Sequence, residues 1–296
     1  TSDTLGKFFT KLAAGARKSI TVETDHYRAG LSTSGGAITS WVLAGFKTWD
    51  QHPIDLIGGG ANFHLLFYSA DGKLINTKSL FFESGLADGT VIKLGKGDSA
   101  AVEFVLNAQG GGRIVKRLIF YGDRYSFDAV YRFEGMQSVL SNFEYQVTWE
   151  SYLRYVEYNT INESNSAKAS SLAGGEITEI DASNFGEPVK QAVSGRVNWV
   201  ASRNKYFAVA IIPREKESQG AYIEGTRTAL PDQGAREEYA LALRMPFTGR
   251  SLETDRFTVF LGPLDYDLVR HYNVELEKVM SLGAAWIIRP ISSYVI

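Results

Sequence analysis

Apolar and polar residues alternate along most of this chain, and short turn-forming segments separate the alternating stretches. In residues 19–24, Ile20 and Val22 fall on one face of an extended chain, and residues 100–107 alternate in the same way. A period of two is typical of a strand that buries one face. The pattern predicts strands at 19–24, 27–33, 37–46, 62–68, 79–83, 100–107, 114–121, 126–133, 143–151, 176–181, 199–201, 206–212, 221–228, 237–246 and 256–261.

Turn signals separate these strands at short, even intervals. Asp71 and Gly72 predict a hairpin turn, and residues 122–124 predict a second one. Residues 5–16 suggest a short helix or a frayed tail, and the polar stretch 159–173 suggests an exposed loop or a partly helical excursion. So many short strands at even spacing indicate an all-β sandwich or barrel and argue against alternating β-α units.

The pattern changes after Pro263, where apolar residues recur at intervals of three and four. Such spacing forms one apolar stripe and predicts an amphipathic helix over 264–282. Asp265 and Asp267 suit the start of this helix, and Gly283 suits its end. The stripe consists of Leu264, Leu268, Val269, Tyr272, Leu276, Val279 and Met280.

The last residues of the chain have the composition of a membrane interface. Trp286, Arg289 and Pro290 lie among aliphatic residues, and Tyr294 follows. Aromatic residues mixed with a cation are typical of the boundary between bilayer and water. The most apolar stretch, 279–288, is well short of the roughly 20 residues that a spanning helix requires.

Composition narrows the class of protein. With 296 residues, the chain suits one large domain or two closely packed halves. The net charge of −2 argues against a nucleic-acid surface, which needs an excess of lysine and arginine. The absence of cysteine excludes disulfides, thiolate metal sites and cysteine nucleophiles.

Candidate catalytic motifs are weak throughout the chain. Its four histidines, His26, His52, His64 and His271, are not at metal-binding spacing, and no Gly-x-Ser-x-Gly motif occurs. The glycine-rich segment 58–60 does not fit a phosphate-binding loop. The sequence therefore predicts no catalytic residue, no cofactor and no metal site.

Three segments resemble the Gram-negative form of the YidC/Oxa-type membrane protein insertase family. Within 195–213 the chain reads GRVNWVA, then KYFA and IIP, similar to a family signature near the end of the periplasmic domain. FLGP at 260–263 and GAAWIIRPI at 283–291 are similar to the steps that lead towards the family's transmembrane core. ITVETD at 20–25 with SGGAI at 34–38 fits the opening strands of the domain.

The resemblance implies a periplasmic β-supersandwich of galactose-mutarotase-like fold over residues 19–262. Residues 1–18 would be a tail or linker after a transmembrane anchor. Residues 263–296 would form a C-terminal helix and a membrane-proximal segment packed on the sandwich. The family implies an inner-membrane protein whose partners are SecDF, SecYEG and the membrane surface. Nascent inner-membrane proteins would be bound by a transmembrane core outside this chain.

Two classes of function follow. The leading hypothesis is a binding and positioning module without enzymatic activity; its expected contacts to the membrane or a partner are Leu264, Leu268, Tyr272, Leu276, Trp286, Arg289 and Pro290. A simpler role for the helix is to close the core of the sandwich. The alternative class is a carbohydrate-binding or aldose-epimerase-like protein. That chemistry needs a general acid and a general base, usually histidine and glutamate, that converge in a cleft.

Overall fold

The computed structural model describes residues 4–60, 62–231 and 233–280, which form nineteen strands and a few short helices. The strands are β1 Ser19–Glu23, β2 Tyr27–Ser32, β3 Ala37–Lys47, β4 Pro53–Asp55, β5 His64–Ser69, β6 Leu74–Asn76, β7 Thr90–Lys93, β8 Ser99–Asn107, β9 Arg113–Tyr121, β10 Ser126–Glu134, β11 Leu140–Trp149, β12 Lys168–Ala173, β13 Glu176–Ile180, β14 Val189–Ser194, β15 Val197–Arg203, β16 Phe207–Pro213, β17 Gly220–Leu230, β18 Gly234–Pro246 and β19 Leu252–Pro263. The α-helices are α1 Gly6–Phe9, α2 Thr160–Ser164 and α3 Tyr266–Arg270, and the 3-10 turns are Thr10–Ala13, Thr77–Ser79, Met136–Ser138 and Leu276–Val279.

The strands form three sheets of five, eight and six strands. Their orders are β4-β3-β2-β1-β7, β13-β12-β15-β16-β19-β10-β9-β8 and β14-β17-β18-β11-β5-β6. Neighbouring strands are antiparallel except for the parallel pair β1 and β7. None of the helices within the described ranges is long and apolar enough to cross a membrane.

The eight-stranded sheet is assembled from two separate parts of the chain. Strands β8 to β10 form one block, and β12, β13, β15 and β16 form the other. The last strand, β19, lies between them, where Val259 pairs with Phe127 on one side and Leu261 pairs with Val209 on the other. One strand from the end of the sandwich therefore joins its two halves.

Both smaller sheets cover the same face of the eight-stranded sheet. Trp41 of the five-stranded sheet contacts Phe127, with ring centroids 5.8 Å apart. Tyr145 of the six-stranded sheet contacts Phe133 at 4.8 Å. Phe127 and Phe133 lie six residues apart on β10 and so share a face. We call this the inner face, and the opposite surface of the sheet the outer face.

A lysine is buried on the inner face. Lys116 on β9 pairs with Tyr131 on β10 and is 1% exposed. Its ammonium Nζ donates to the carbonyl oxygens of Gly36 at 2.7 Å and Phe63 at 2.6 Å, and it lies 4.7 Å from the centre of the Phe63 ring. Burial lowers the pKa of Lys116 to about 7, because the charged form loses its hydration.

Most of the predicted strands are confirmed, and two segments differ. Residues 79–83 form isolated bridges after a 3-10 turn, at Phe81 and Glu83. The stretch 159–173, predicted as an exposed loop or partly helical, contains α2 but continues into the buried strand β12. Its serines and alanines indicated little to bury, yet small residues suit a strand packed between two neighbours and beneath Trp199.

Candidate functional site: the C-terminal segment and its cleft

Residues 264–280, the C-terminal segment, lie across the outer face of the eight-stranded sheet. The predicted helix over 264–282 is wrong in extent, because within the described residues 264–280 only Tyr266–Arg270 is α-helical and a 3-10 turn follows at Leu276–Val279. Asn273 and Glu275 have φ of 54° and 56°, in the left-handed region that interrupts a right-handed helix. Residues 281 and 282 lie outside the described ranges.

Aspartate fixes the start of α3 as the sequence indicated. The carboxylate of Asp265 accepts hydrogen bonds from the backbone N–H groups of Asp267 at 3.0 Å and Leu268 at 3.1 Å. A side chain that satisfies these otherwise unpaired donors favours helix initiation. The interruption further along is therefore a consequence of packing, since tertiary contacts override a regular apolar stripe.

The interrupted segment closes a second, smaller core on the outer face. Trp199 Nε1 donates to the carbonyl oxygen of Val274 at 3.0 Å, and Lys278 Nζ donates to Gly175 O at 3.1 Å. These contacts hold the end of the segment against β15 and the β12–β13 turn. The buried residues of this core are Leu172, Trp199, Ala201, Ala208, Ala210, Ile212, Phe260, Leu264, Val269, Leu276, Val279 and Met280.

The predicted contact residues separate into three groups. Leu264 and Leu276 are buried in the smaller core, so they are unavailable to a partner while the segment is docked. Tyr272 packs edge-on against Phe260, with centroids 5.5 Å apart, and Leu268 is 37% exposed. The remaining three, Trp286, Arg289 and Pro290, lie outside the described residues, so their contacts stay a prediction.

Sequence reasoning missed Tyr266, which is 41% exposed beside Leu268. On an uninterrupted helix, Tyr266 falls outside the apolar stripe, so the spacing does not indicate it as a contact residue. In the structure both side chains are exposed, and the guanidinium of Arg270 lies 5.9 Å from the Tyr266 ring. Residues two positions apart on a helix do not face each other, so Tyr266 and Leu268 are exposed on different sides of α3.

A cleft with a volume of about 760 Å³ lies between the C-terminal segment and the outer face. Ser126, Asp128 and Thr258 of the sheet contribute to its lining, as does Arg214 at the end of β16. From the C-terminal side, its lining includes Asp265, Asp267, Leu268, His271 and Tyr272. The cleft therefore carries charges of both signs together with aromatic and aliphatic surface.

The carboxylate of Asp128 is held by three donors in this cleft. It accepts from Tyr121 at 2.8 Å, Thr258 at 2.7 Å and Arg256 at 2.7 Å. Burial alone would raise the pKa of Asp128, but these hydrogen bonds and the arginine charge hold it below its ordinary value. An ionised carboxylate whose oxygens are already engaged is poorly suited to accept a proton from a substrate.

The other titratable groups of the cleft are His271 and several aspartates. Among the described residues that line it, His271 is the one histidine and none is a glutamate. Within residues 4–60, 62–231 and 233–280, no group of three or more histidine, aspartate or glutamate side chains is placed to hold a metal ion.

The fold class follows from the sheets and from likeness to solved structures. The chain resembles the Slr1438 protein of Synechocystis with a TM-score of 0.51 and 11% identity, covering 84% of this chain and 97% of that one. A galactose mutarotase related enzyme from Lactobacillus acidophilus has a TM-score of 0.48 at 11% identity, covering 82% and 97%. Such likeness shows the fold alone, and the predicted all-β supersandwich of many antiparallel strands is confirmed by the three sheets and by the first of these structures.

Sequence comparison identifies the family. The family model described as the YidC periplasmic domain matches residues 19–293. Membrane protein insertase YidC of Chlorobaculum parvum is 36% identical over 298 residues, which cover 100% of this chain and 50% of that protein. The chain belongs to the YidC periplasmic domain family, and it spans about half the length of the curated relatives it matches.

Proposed function

We propose that this chain is a non-catalytic periplasmic domain that positions a membrane protein insertase beside its partners. The observation that carries the proposal is the C-terminal segment, which is anchored to the sandwich through the smaller core and leaves Tyr266 and Leu268 of α3 exposed. An anchored segment with an exposed aromatic and an exposed aliphatic side chain is suited to hold the sandwich against another surface.

The wider setting belongs to the same proposal. The full protein lies in the bacterial inner membrane with this portion in the periplasm, and it assists insertion and folding of inner-membrane proteins with or without the Sec translocon. SecDF and SecYEG are the proposed partners, and nascent inner-membrane proteins are bound by a membrane-embedded part outside this chain. Residues 281–296 are proposed to contact the membrane surface.

Substitution of Tyr266 and Leu268 tests the positioning role without opening the smaller core. In the full-length insertase, Tyr266→Ser with Leu268→Ser is expected to lower the rescue of insertase-depleted cells, because the variant loses the exposed apolar surface that is proposed to contact a partner. Both side chains are exposed, so the fold should be retained. Ile177→Ser is a matched control, since Ile177 is also 37% exposed but lies on β13. Full rescue by the double variant at equal protein level would contradict the positioning role.

Carbohydrate binding is the second candidate, and the cleft favours it. Its volume of about 760 Å³ falls within the range of small-molecule sites. Titration calorimetry with a panel of hexoses tests this function, with Asp128→Asn as the variant expected to weaken any binding in the cleft. Saturable binding with turnover would replace the positioning proposal with an enzymatic one, and the absence of heat would remove the second candidate.

A further inference from the structure

One end of the sandwich, here called the basal end, brings together α1 and several chain reversals. Asp71 accepts a hydrogen bond from the backbone N–H of Lys7 at 2.8 Å, and the backbone N–H of Phe247 donates to Phe143 O at 2.9 Å. The backbone N–H of Ala70 also donates to Val139 at 2.7 Å. The basal end comprises residues 6–11, 68–74, 135–144 and 247–252.

A strained bulge interrupts β11 at this end. Asn142 and Phe143 have φ of 63° and 50°, and the pairing of β11 with β5 shifts register between Leu140 and Tyr145. Two consecutive left-handed residues without glycine are unusual, and a bulky aromatic residue in this region is a clear outlier. Such strain persists only where the surrounding structure fixes it, and it is frequent at functional surfaces.

The bulge turns an aromatic side chain away from the core. Tyr145, Val147 and Trp149 are fully buried, so regular alternation would direct Phe143 inward as well. Phe143 is instead 68% exposed, while Phe247 occupies the core at this position and is 2% exposed. The strained backbone therefore exposes a large apolar side chain that a regular strand would bury.

Two more large side chains are exposed at the basal end. Tyr68 on β5 and Leu74 on β6 are paired directly across the strands, so their side chains share a face, and they are 46% and 50% exposed. Both line a shallow groove of about 250 Å³ together with Asn142. We call Tyr68, Leu74 and Phe143 the apolar corner; its groove is smaller than sites that enclose a small molecule.

Exposed cations occur in the segments that form the basal end, and Arg250 follows Gly249, against which the Phe143 ring lies. The acids in and next to these segments have partners. Glu144 forms an ion pair with Arg244 at 2.6 Å, Glu134 is bound by Arg113, and Asp71 accepts from the backbone of Lys7. The exposed cations of the basal end are Lys7, Lys11 and Arg250. Apolar side chains flanked by exposed cations match the chemistry of a bilayer surface that contains anionic lipids.

We propose that the basal end rests on an anionic bilayer surface, with the apolar corner among the lipid headgroups and the exposed cations on lipid phosphates. This proposal rests on the proposed function insofar as that function places the domain beside a membrane. It adds a contact distinct from residues 281–296, made by the β-sandwich itself.

Vesicle flotation tests the contact directly. The chain should bind vesicles of phosphatidylcholine with phosphatidylglycerol more tightly than vesicles of phosphatidylcholine alone, and added salt should weaken binding because it screens the cations. Phe143→Ser with Leu74→Ser should reduce the affinity for anionic vesicles by about tenfold, because the variant has less apolar surface to transfer from water into the bilayer. Both positions are exposed, so unfolding curves should confirm an intact fold.

Tyr158 provides a matched control at the opposite end of the sandwich. It is 77% exposed and packs edge-on against Trp49. The adjacent Glu157 accepts a hydrogen bond from the hydroxyl of Tyr206, near the end of β19. The basal end lies at the start of β19, and the twelve residues of that strand span roughly 40 Å. Tyr158→Ser should therefore leave vesicle binding unchanged.

The absence of cysteine permits a site-specific readout. Phe143→Cys and Tyr158→Cys, each labelled with an environment-sensitive fluorophore, should differ: the first label brightens on anionic vesicles and the second does not. The proposal is overturned by an unbound chain, by an unchanged affinity of the double serine variant, or by binding that leaves the Phe143 label in water. The vesicle assay does not depend on insertase activity. A negative result would overturn the bilayer contact and leave the positioning role to be decided by the rescue experiment.

Discussion

The two faces of the eight-stranded sheet are built from the same strands but are covered in different ways. On β10, Phe127, Tyr131 and Phe133 face inward and lie in the large core between the sheets. Asp128 faces outward, and Phe260 on β19 lies outward beneath the C-terminal segment. The inner face is sealed by two whole sheets, whereas the outer face is covered by a short interrupted segment and an open cleft.

Stability and function are separated between the two faces of this sheet. The inner face is fixed by strand alternation and by aromatic packing, so it determines the sandwich. The outer face is closed by a smaller core that covers only part of it, and the cleft beside this core stays open. A partner or ligand is therefore expected at the outer face or at the ends of the sandwich.

Removal of an inner aromatic ring should have the largest effect. Phe127 lies within 6 Å of the ring centres of Trp41, Phe63 and Phe120. Phe127→Ala should lower the free energy of unfolding by about 3–5 kcal/mol, because a cavity remains among rigid neighbours. Chemical denaturation measures this, and Phe260→Ala on the outer face should cost less. Equal losses would contradict the distinction between the two faces.

The pH dependence of stability tests the burial of Lys116 on the inner face. The pKa of Lys116 is lowered from 10.5 to about 7, so between these values the unfolded chain holds a proton that the native state lacks. Stability of the wild type should rise with pH across this window, by up to about 1.4 kcal/mol per pH unit relative to Lys116→Met.

Below pH 7 the lysine is protonated in both states, and the two stability curves should run parallel. Urea denaturation between pH 6 and 10 measures the difference, with the exposed Lys96→Met as the control. Parallel curves over the whole range would show that Lys116 is not buried in the neutral form.

Loss of a buried leucine from the C-terminal segment should act locally. Leu276→Ala is expected to lower stability by about 2 kcal/mol, at the low end for a buried leucine, because a short segment can relax around the cavity. Hydrogen exchange should accelerate in residues 266–280 while β10 and β19 stay protected. Faster exchange throughout β10 would instead show that the segment supports the whole sandwich.

The smallest effect is expected at the outer polar cluster. Asp128→Asn should cost about 1 kcal/mol at neutral pH, because a neutral amide replaces a carboxylate bound by three donors. The pKa of Asp128 is depressed in the folded state, so its contribution is present above the ordinary aspartate pKa and is lost as pH falls through the depressed value. The gap between wild type and variant should therefore close in acid; a constant gap would contradict this assignment.

Local pattern predicted most strands because alternation records which face is buried. The positions of β8, β9, β10 and β19 follow directly from it. Sheet order did not follow, since the pairing of β10 with β19 depends on contacts more than a hundred residues apart. The interruption of the helix after Pro263 could not be predicted from local pattern either. Asn273 and Glu275 adopt left-handed conformations in a segment that packs on the smaller core, and periodicity does not record such contacts.

The candidate site was predicted in part, for similar reasons. The apolar stripe selected Leu264 and Leu276, but spacing cannot distinguish a side chain that contacts a partner from one that closes a core. Tyr266 and the exposed Phe143 gave no signal, since the first lies off the stripe and the second fits the buried alternation of β11. Their exposure results from backbone breaks that local periodicity does not record.

The central position of β19 also governs the order in which the chain can fold. Until residues 252–263 emerge, β8 to β10 form one half-sheet and β12, β13, β15 and β16 form another, and β10 and β16 each present an open edge. Because β19 must pair across long sequence separations, closure is expected to be slow and late. During synthesis, the sandwich therefore stays incomplete until nearly all of it has been made, and its open edges need protection from other chains during that interval.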